Sequence, residues 1–91
     1  MVFKDNCPKA PVHLLTVPKK HITSIMELRP DDVVLMGQLI YEARNAAEKF
    51  GLDGYKLAIN VGRKGGQVVD HVHLHILGGW DQDVKVNEIK V

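Results

Sequence analysis

The sequence predicts an α+β domain with one main helix packed on an antiparallel sheet, and three observations carry that prediction. Apolar residues recur at three- and four-residue spacing from Met36 to Phe50, one face of an amphipathic helix. Short aliphatic runs bounded by proline or glycine lie on both sides of it, as strands do. His71-Val72-His73-Leu74-His75-Ile76-Leu77 alternates polar with apolar residues, the period at which a strand points its side chains to opposite faces.

Each element can be justified in turn. Residues 12–17 (VHLLTV) lie between Pro11 and Pro18, and proline is tolerated at the ends of a strand but not inside one. Lys19-Lys20-His21 leaves the sheet, with the two lysines reading as a solvated corner, and residues 23–26 (TSIM) read as a short turn or a single helical turn. From Pro30 the period changes to helical. Met36, Leu39, Ile40, Ala43, Ala46, Ala47 and Phe50 form the apolar stripe, a packing face, and Glu42, Arg44, Asn45, Glu48 and Lys49 fall mainly opposite. Asp31 and Asp32 suit the positive end of the helix dipole, and Gly51 supplies the left-handed stop. Residues 55–61 (YKLAINV) form a strand, 62–66 (GRKGG) a turn and 68–77 the histidine strand, together an antiparallel hairpin. Residues 84–91 alternate weakly, as an edge strand or a tail.

A chain of 91 residues makes a single domain, 1–91, near the lower limit for burying its own core. Its net charge of +1 gives no electrostatic case for nucleic acid or a membrane surface. The apolar runs are too short to span a bilayer, and no signal-peptide pattern opens the chain. One cysteine, Cys7, permits no internal disulfide and suits a reducing compartment. The expectation is a soluble cytoplasmic protein in which Cys7 is structural.

Three imidazoles on one strand face are costly to bury, since each needs a hydrogen-bond partner or a path to solvent. The row makes sense where nitrogen lone pairs are wanted, for a phosphorus centre or for a metal. Zinc could draw on His71, His73 and His75, with His13 or His21 completing its shell. Gly65-Gly66-Gln67 can bring backbone N–H groups close to a phosphate, because glycine adds no side chain.

The run HVHLHILGG, preceded by KGGQVVD and by APVH and VPKKH upstream, resembles the histidine triad (HIT) superfamily. Within it the chain is most similar to the Hint-like branch of purine nucleoside phosphoramidases, over roughly residues 3–79. The resemblance implies a HIT-like fold and a hydrolase acting at the α-phosphate of nucleoside 5′-phosphoramidates or related nucleotidyl conjugates. It implies a nucleotidyl intermediate on His73, His75 on the leaving-group side as general acid, and His71 and His13 orienting the cluster. His21 matches an outer histidine without a defined part. Asn60, Gly66, Gln67, Val68 and Val69 would surround the phosphate, Asp5 would hold the ribose hydroxyls, and Phe3 would line the base pocket. No metal or other cofactor is implied. The expected partners are a purine nucleotide such as an AMP conjugate and a second copy of the chain, joined through the helix and a sheet edge. Nucleic acid and membrane are not expected partners.

Three departures follow from the same comparison. The family's N-terminal portion, which contributes to the base pocket, is missing. Val68 stands where the branch often carries a serine, and residues 80–91 form a divergent tail. A catalytically weak nucleotide-binding module of the same fold is therefore the competing reading, and a zinc-binding protein the third.

Overall fold

The computed structural model describes residues 1–81 and has the expected α+β architecture. Strands β1 (Val2–Lys4), β2 (Val12–Thr16), β3 (Tyr55–Ala58) and β4 (Leu74–Gly78) form one antiparallel sheet in the order β1-β2-β4-β3. Helix α1 (Val33–Lys49) packs on one face, where Leu39, Ala43, Ala46 and Ala47 meet Leu14, Leu74 and Ile76. Three alanines in that seam let the helix approach the sheet closely. Leu14, Ile76 and Leu77 are among the most buried side chains, each worth about 1.5–3 kcal/mol over its exposed state.

The register decides what faces away from the helix. Phe3 lies opposite Leu15, Leu15 opposite His75, and His75 opposite Ala58, while His13 lies opposite Leu77. Because neighbours across a sheet share a face, Phe3, His13 and His75 stand together on the side away from α1. Residues 2–4, which show no strand pattern of their own, pair with β2 and bring Phe3 into this row.

Several boundaries differ from the sequence expectation. Pro30–Asp32 is a 3₁₀ turn, and α1 itself begins at Val33. Gly51 ends the helix at φ +68°, as expected, since only glycine enters that region freely. Ile40 and Phe50 belong to the predicted stripe yet are exposed. The buried arc centres on Leu39 and Ala43, which turns Ile40 aside, and Phe50 already lies past the last helical residue. Residues 23–26 contribute to a 3₁₀ turn over Ile25–Glu27, capped by the Ser24 hydroxyl.

Strand β3 stops at Ala58, and β4 starts only at Leu74, so the predicted strand over 68–77 is half the expected length. The reason lies in the backbone bonds. The Gln67 N–H bonds to Gly62 O and the His71 N–H to Val69 O, closing a compact loop, and the Val72 N–H goes to Ile22 O. These donors are spent before a sheet ladder can form. The alternation survives nonetheless, with Val72, Leu74 and Ile76 all buried on the core side. The edge strand or tail expected over 84–91 lies outside the described residues. Among the described residues, no helix is long and apolar enough to cross a membrane.

Candidate active site

On the face away from the helix, a chain of hydrogen bonds assigns the protons of the buried pair His13 and His75. The Lys9 N–H donates to His13 Nδ1 at 3.0 Å, so that nitrogen carries the lone pair and Nε2 carries the proton. His13 Nε2 lies 2.9 Å from His75 Nδ1 and donates to it. His75 therefore keeps its own proton on Nε2, the one ring nitrogen not engaged by His13. A second proton on His75 would set two N–H groups against each other across this contact. Burial, then the charges of His73 and His13, push the His75 pKa down from 6.5 to about 4, with Asp5 acting the other way. At neutral pH the ring is an uncharged N–H donor.

His73 and His71 precede β4 and are held by carbonyls. His73 Nδ1 donates to His71 O at 2.8 Å, which leaves the Nε2 lone pair of His73 free. His71 Nε2 donates to Pro18 O at 3.2 Å. The His73 and His75 rings meet edge-on with centroids 5.0 Å apart, and His21 meets His71 in the same way at 4.8 Å. So His71, His73 and His75 are brought together although only His75 lies on the strand. The exposed His21 touches the row from outside.

The glycine loop is organised by Gln67. Its buried amide accepts from the Gly62 N–H at 2.9 Å and donates to Thr23 O at 2.6 Å and Val69 O at 2.9 Å. The side chain expected at the phosphate thus bonds the loop itself. Asn60 Nδ2 donates to Gly65 O. Gly66 has φ +87°, a conformation that favours glycine, and a Cβ there would press on the Asn60 amide at 3.3 Å. Arg63 donates to Gln67 O and pairs with Asp70, closing the loop from outside. Val68 is 82% exposed and Val69 61%, so neither side chain is consumed by packing.

Asp5 reaches the same face. One oxygen accepts from the Cys7 N–H at 2.7 Å, and the other lies 3.6 Å from His13 Nε2. Phe3 is half exposed beside this row on β1. Cys7, expected to be structural, is instead exposed and serves through its backbone. The zinc alternative also changes its ligands. Among the described residues, the donor atoms close enough to share an ion belong to Asp5, His13 and His75, not to the three triad histidines. Capturing an ion there would break the His13–His75 hydrogen bond.

A family profile described as the HIT domain matches residues 1–82. The chain belongs to the HIT family. An uncharacterized HIT-like protein from Chlamydia trachomatis serovar D is 44% identical over 80 residues, which is 87% of this chain and 72% of that relative. Among solved structures, a HIT family hydrolase from Legionella pneumophila Philadelphia 1 is 42% identical with a TM-score of 0.87. That match covers 96% of this chain and 78% of the other. A histidine triad protein from Clostridium difficile is 34% identical with a TM-score of 0.84, covering 92% and 75% of the two chains.

Four contributors to the geometry of this HIT domain were not singled out from the sequence. The Lys9 N–H, Pro18 O and Thr23 O are backbone groups, and a backbone group leaves no mark in a residue pattern. The fourth is Lys20, read as a solvated corner, which instead pairs with the buried Asp32 at 2.5 Å.

Proposed function

We propose that this HIT domain is a nucleotide-binding hydrolase that cleaves nucleoside 5′-phosphoramidates or related nucleotidyl conjugates at the α-phosphate. The observation that carries the reading is the bond from His73 Nδ1 to His71 O, which places the ring proton on Nδ1 and leaves the lone pair of Nε2 available. Such a nitrogen attacks phosphorus without first losing a proton. As the N–P bond to His73 forms, the bond to the leaving amine breaks, and the carbonyl of His71 stabilises the positive charge growing on the ring. The anionic substrate offsets the cost of charging His75, which takes a proton from solvent at Nδ1, giving up the hydrogen bond from His13. His75 then passes its Nε2–H to the departing nitrogen. Water next attacks the nucleotidyl-His73, giving its proton to His75 and releasing the nucleoside monophosphate. His13 and His71 orient the two working rings.

In this reading Asn60, Gly66, Gln67, Val68 and Val69 surround the phosphate, mainly through the backbone of the glycine loop. The Asp5 carboxylate takes the ribose hydroxyls and Phe3 borders a purine base. No metal takes part in either step. The protein works in the cytoplasm as a homodimer. Support for the dimer comes from Val33, Val34, Ile40 and Tyr41, exposed on α1, and from Tyr55 and Leu57, about one-third exposed on the outer strand β3. The competing reading is a module that binds nucleotides and turns them over poorly. Val68 favours it, because an exposed valine offers no hydroxyl to the phosphate or leaving group.

The test is AMP release from adenosine 5′-phosphoramidate by chelator-treated protein, beside a His73→Ala control. Turnover lost in the control supports the enzyme. AMP binding without turnover in the wild type supports the binding module instead.

A further inference from the structure

The His71 ring has two contacts with residues distant in sequence, and both come from one four-residue segment. Pro18 O accepts its Nε2–H, and the His21 ring packs on its edge. Residues 18–21 belong to no strand or helix, so no ladder of backbone bonds fixes them. Packing holds its ends, where Pro18 and Ile22 are buried, while its middle faces a cleft of about 290 Å³ between residues 20–23 and Glu27, Arg29 and Asp32. Two ties remain. After the segment, Ile22 O accepts the Val72 N–H at 2.7 Å. Within it, Lys20 Nζ reaches Asp32 Oδ1 at 2.5 Å.

Asp32 is suited to act as an anchor. It is 3% exposed and sits at the junction of the 3₁₀ turn and α1, where its second oxygen accepts the Arg29 N–H at 2.9 Å. Lys20, by contrast, is half exposed. A buried carboxylate held by a backbone donor gives the lysine a fixed target, which an ion pair between two exposed, mobile side chains lacks.

We propose that Lys20 and Asp32 are positioning residues, an ionic clamp that holds the Pro18–His21 segment in register against His71. Through the carbonyl of His71 the clamp reaches His73, so the inference rests on the assignment of His73 as nucleophile. The chain of contacts runs from α1 through Asp32, Lys20, Pro18 O and His71 O to His73 Nδ1. Releasing the clamp lets the middle of the segment shift between its buried ends, which weakens the 3.2 Å contact of Pro18 O that selects the Nε2–H form of His71.

The experiment uses the whole chain with Lys20→Met, Lys20→Arg and Asp32→Asn variants. Asparagine retains an acceptor for the Arg29 N–H, and methionine retains the apolar stem of the lysine. Ring ¹⁵N spectra report the tautomer of His71, and phosphoramidate turnover gives kcat and KM. The expected result is a mixture of His71 tautomers in Lys20→Met and Asp32→Asn, and the wild-type tautomer in Lys20→Arg. In the same two variants kcat should fall about tenfold or more with KM within about twofold, given that a misplacement of about 1 Å can cost on the order of 10²-fold. Lys20→Arg should recover most of the rate. A lowered melting temperature with unchanged His71 tautomer and unchanged kcat would overturn the proposal, reducing the pair to a stability element. Should the wild type fail to hydrolyse the phosphoramidate, the nucleophile assignment falls, and the ¹⁵N spectra still decide the clamp.

Discussion

Acid should destabilise this fold through His75 in a way that one substitution can isolate. The group titrates at 6.5 when unfolded and at about 4 in the folded chain, chiefly because burial disfavours the cation. Between those values the unfolded chain binds the extra proton and the folded chain does not, so stability falls as pH drops from 6.5 toward 4. At about 1.4 kcal/mol per pH unit the interval corresponds to at most about 3.4 kcal/mol. Solvent still reaches part of the ring and screens it, which reduces the figure to roughly 2 kcal/mol. The comparison is with His75→Gln, whose amide oxygen accepts the His13 Nε2–H but takes up no proton in this range. Urea unfolding of both proteins at pH 7, 6, 5 and 4.5 gives the difference in stability at each pH, and contributions from the carboxylates cancel. The wild type should lose roughly 2 kcal/mol relative to the variant over that range, or about 10 °C in melting temperature for a domain of this size. Parallel curves would refute the reasoning, for they would mean that His75 protonates in the folded state as easily as in the unfolded one.

Gln67→Ala should cost about 2–4 kcal/mol, measured by urea unfolding, because it strands the Gly62 N–H and Thr23 O that the buried amide satisfies. An effect below about 0.5 kcal/mol would mean that water replaces the amide without loss. Val68→Ser should raise kcat on phosphoramidates by up to about 10²-fold by adding a donor near the phosphate, and an unchanged rate would show that this hydrogen bond is already compensated. Ile40→Glu, which places a charge on the exposed apolar face of α1, should convert a dimer to a monomer in sedimentation velocity. A dimer that survives the change would locate the interface elsewhere.

Much of the fold was readable in the residues because its signals are local. The 3.6-residue period located the helix, and Gly51 marked its end by a backbone angle only glycine enters freely. The alternation in 71–77 correctly put Val72, Leu74 and Ile76 in the core. It did not foretell that the ladder starts only at Leu74, because the same alternation is compatible with an extended segment whose N–H groups bond elsewhere. Ile40 and Phe50 matched the helical period but missed the buried arc, since the period gives an angle around the helix and not the width of what covers it.

By itself, the sequence determined the class of fold, the grouping of the histidines and the family, all of which follow from residue type and spacing. Only the tertiary structure decided which nitrogen of His13, His71, His73 and His75 holds the proton. That assignment depends on Lys9 N–H, Pro18 O and His71 O, backbone groups that every residue type can supply and that gain meaning from position alone. It also decided that Lys20 is an anchor on a buried Asp32 rather than a solvated corner. A charge reveals its partner only when the chain brings the two together, here across twelve residues of sequence.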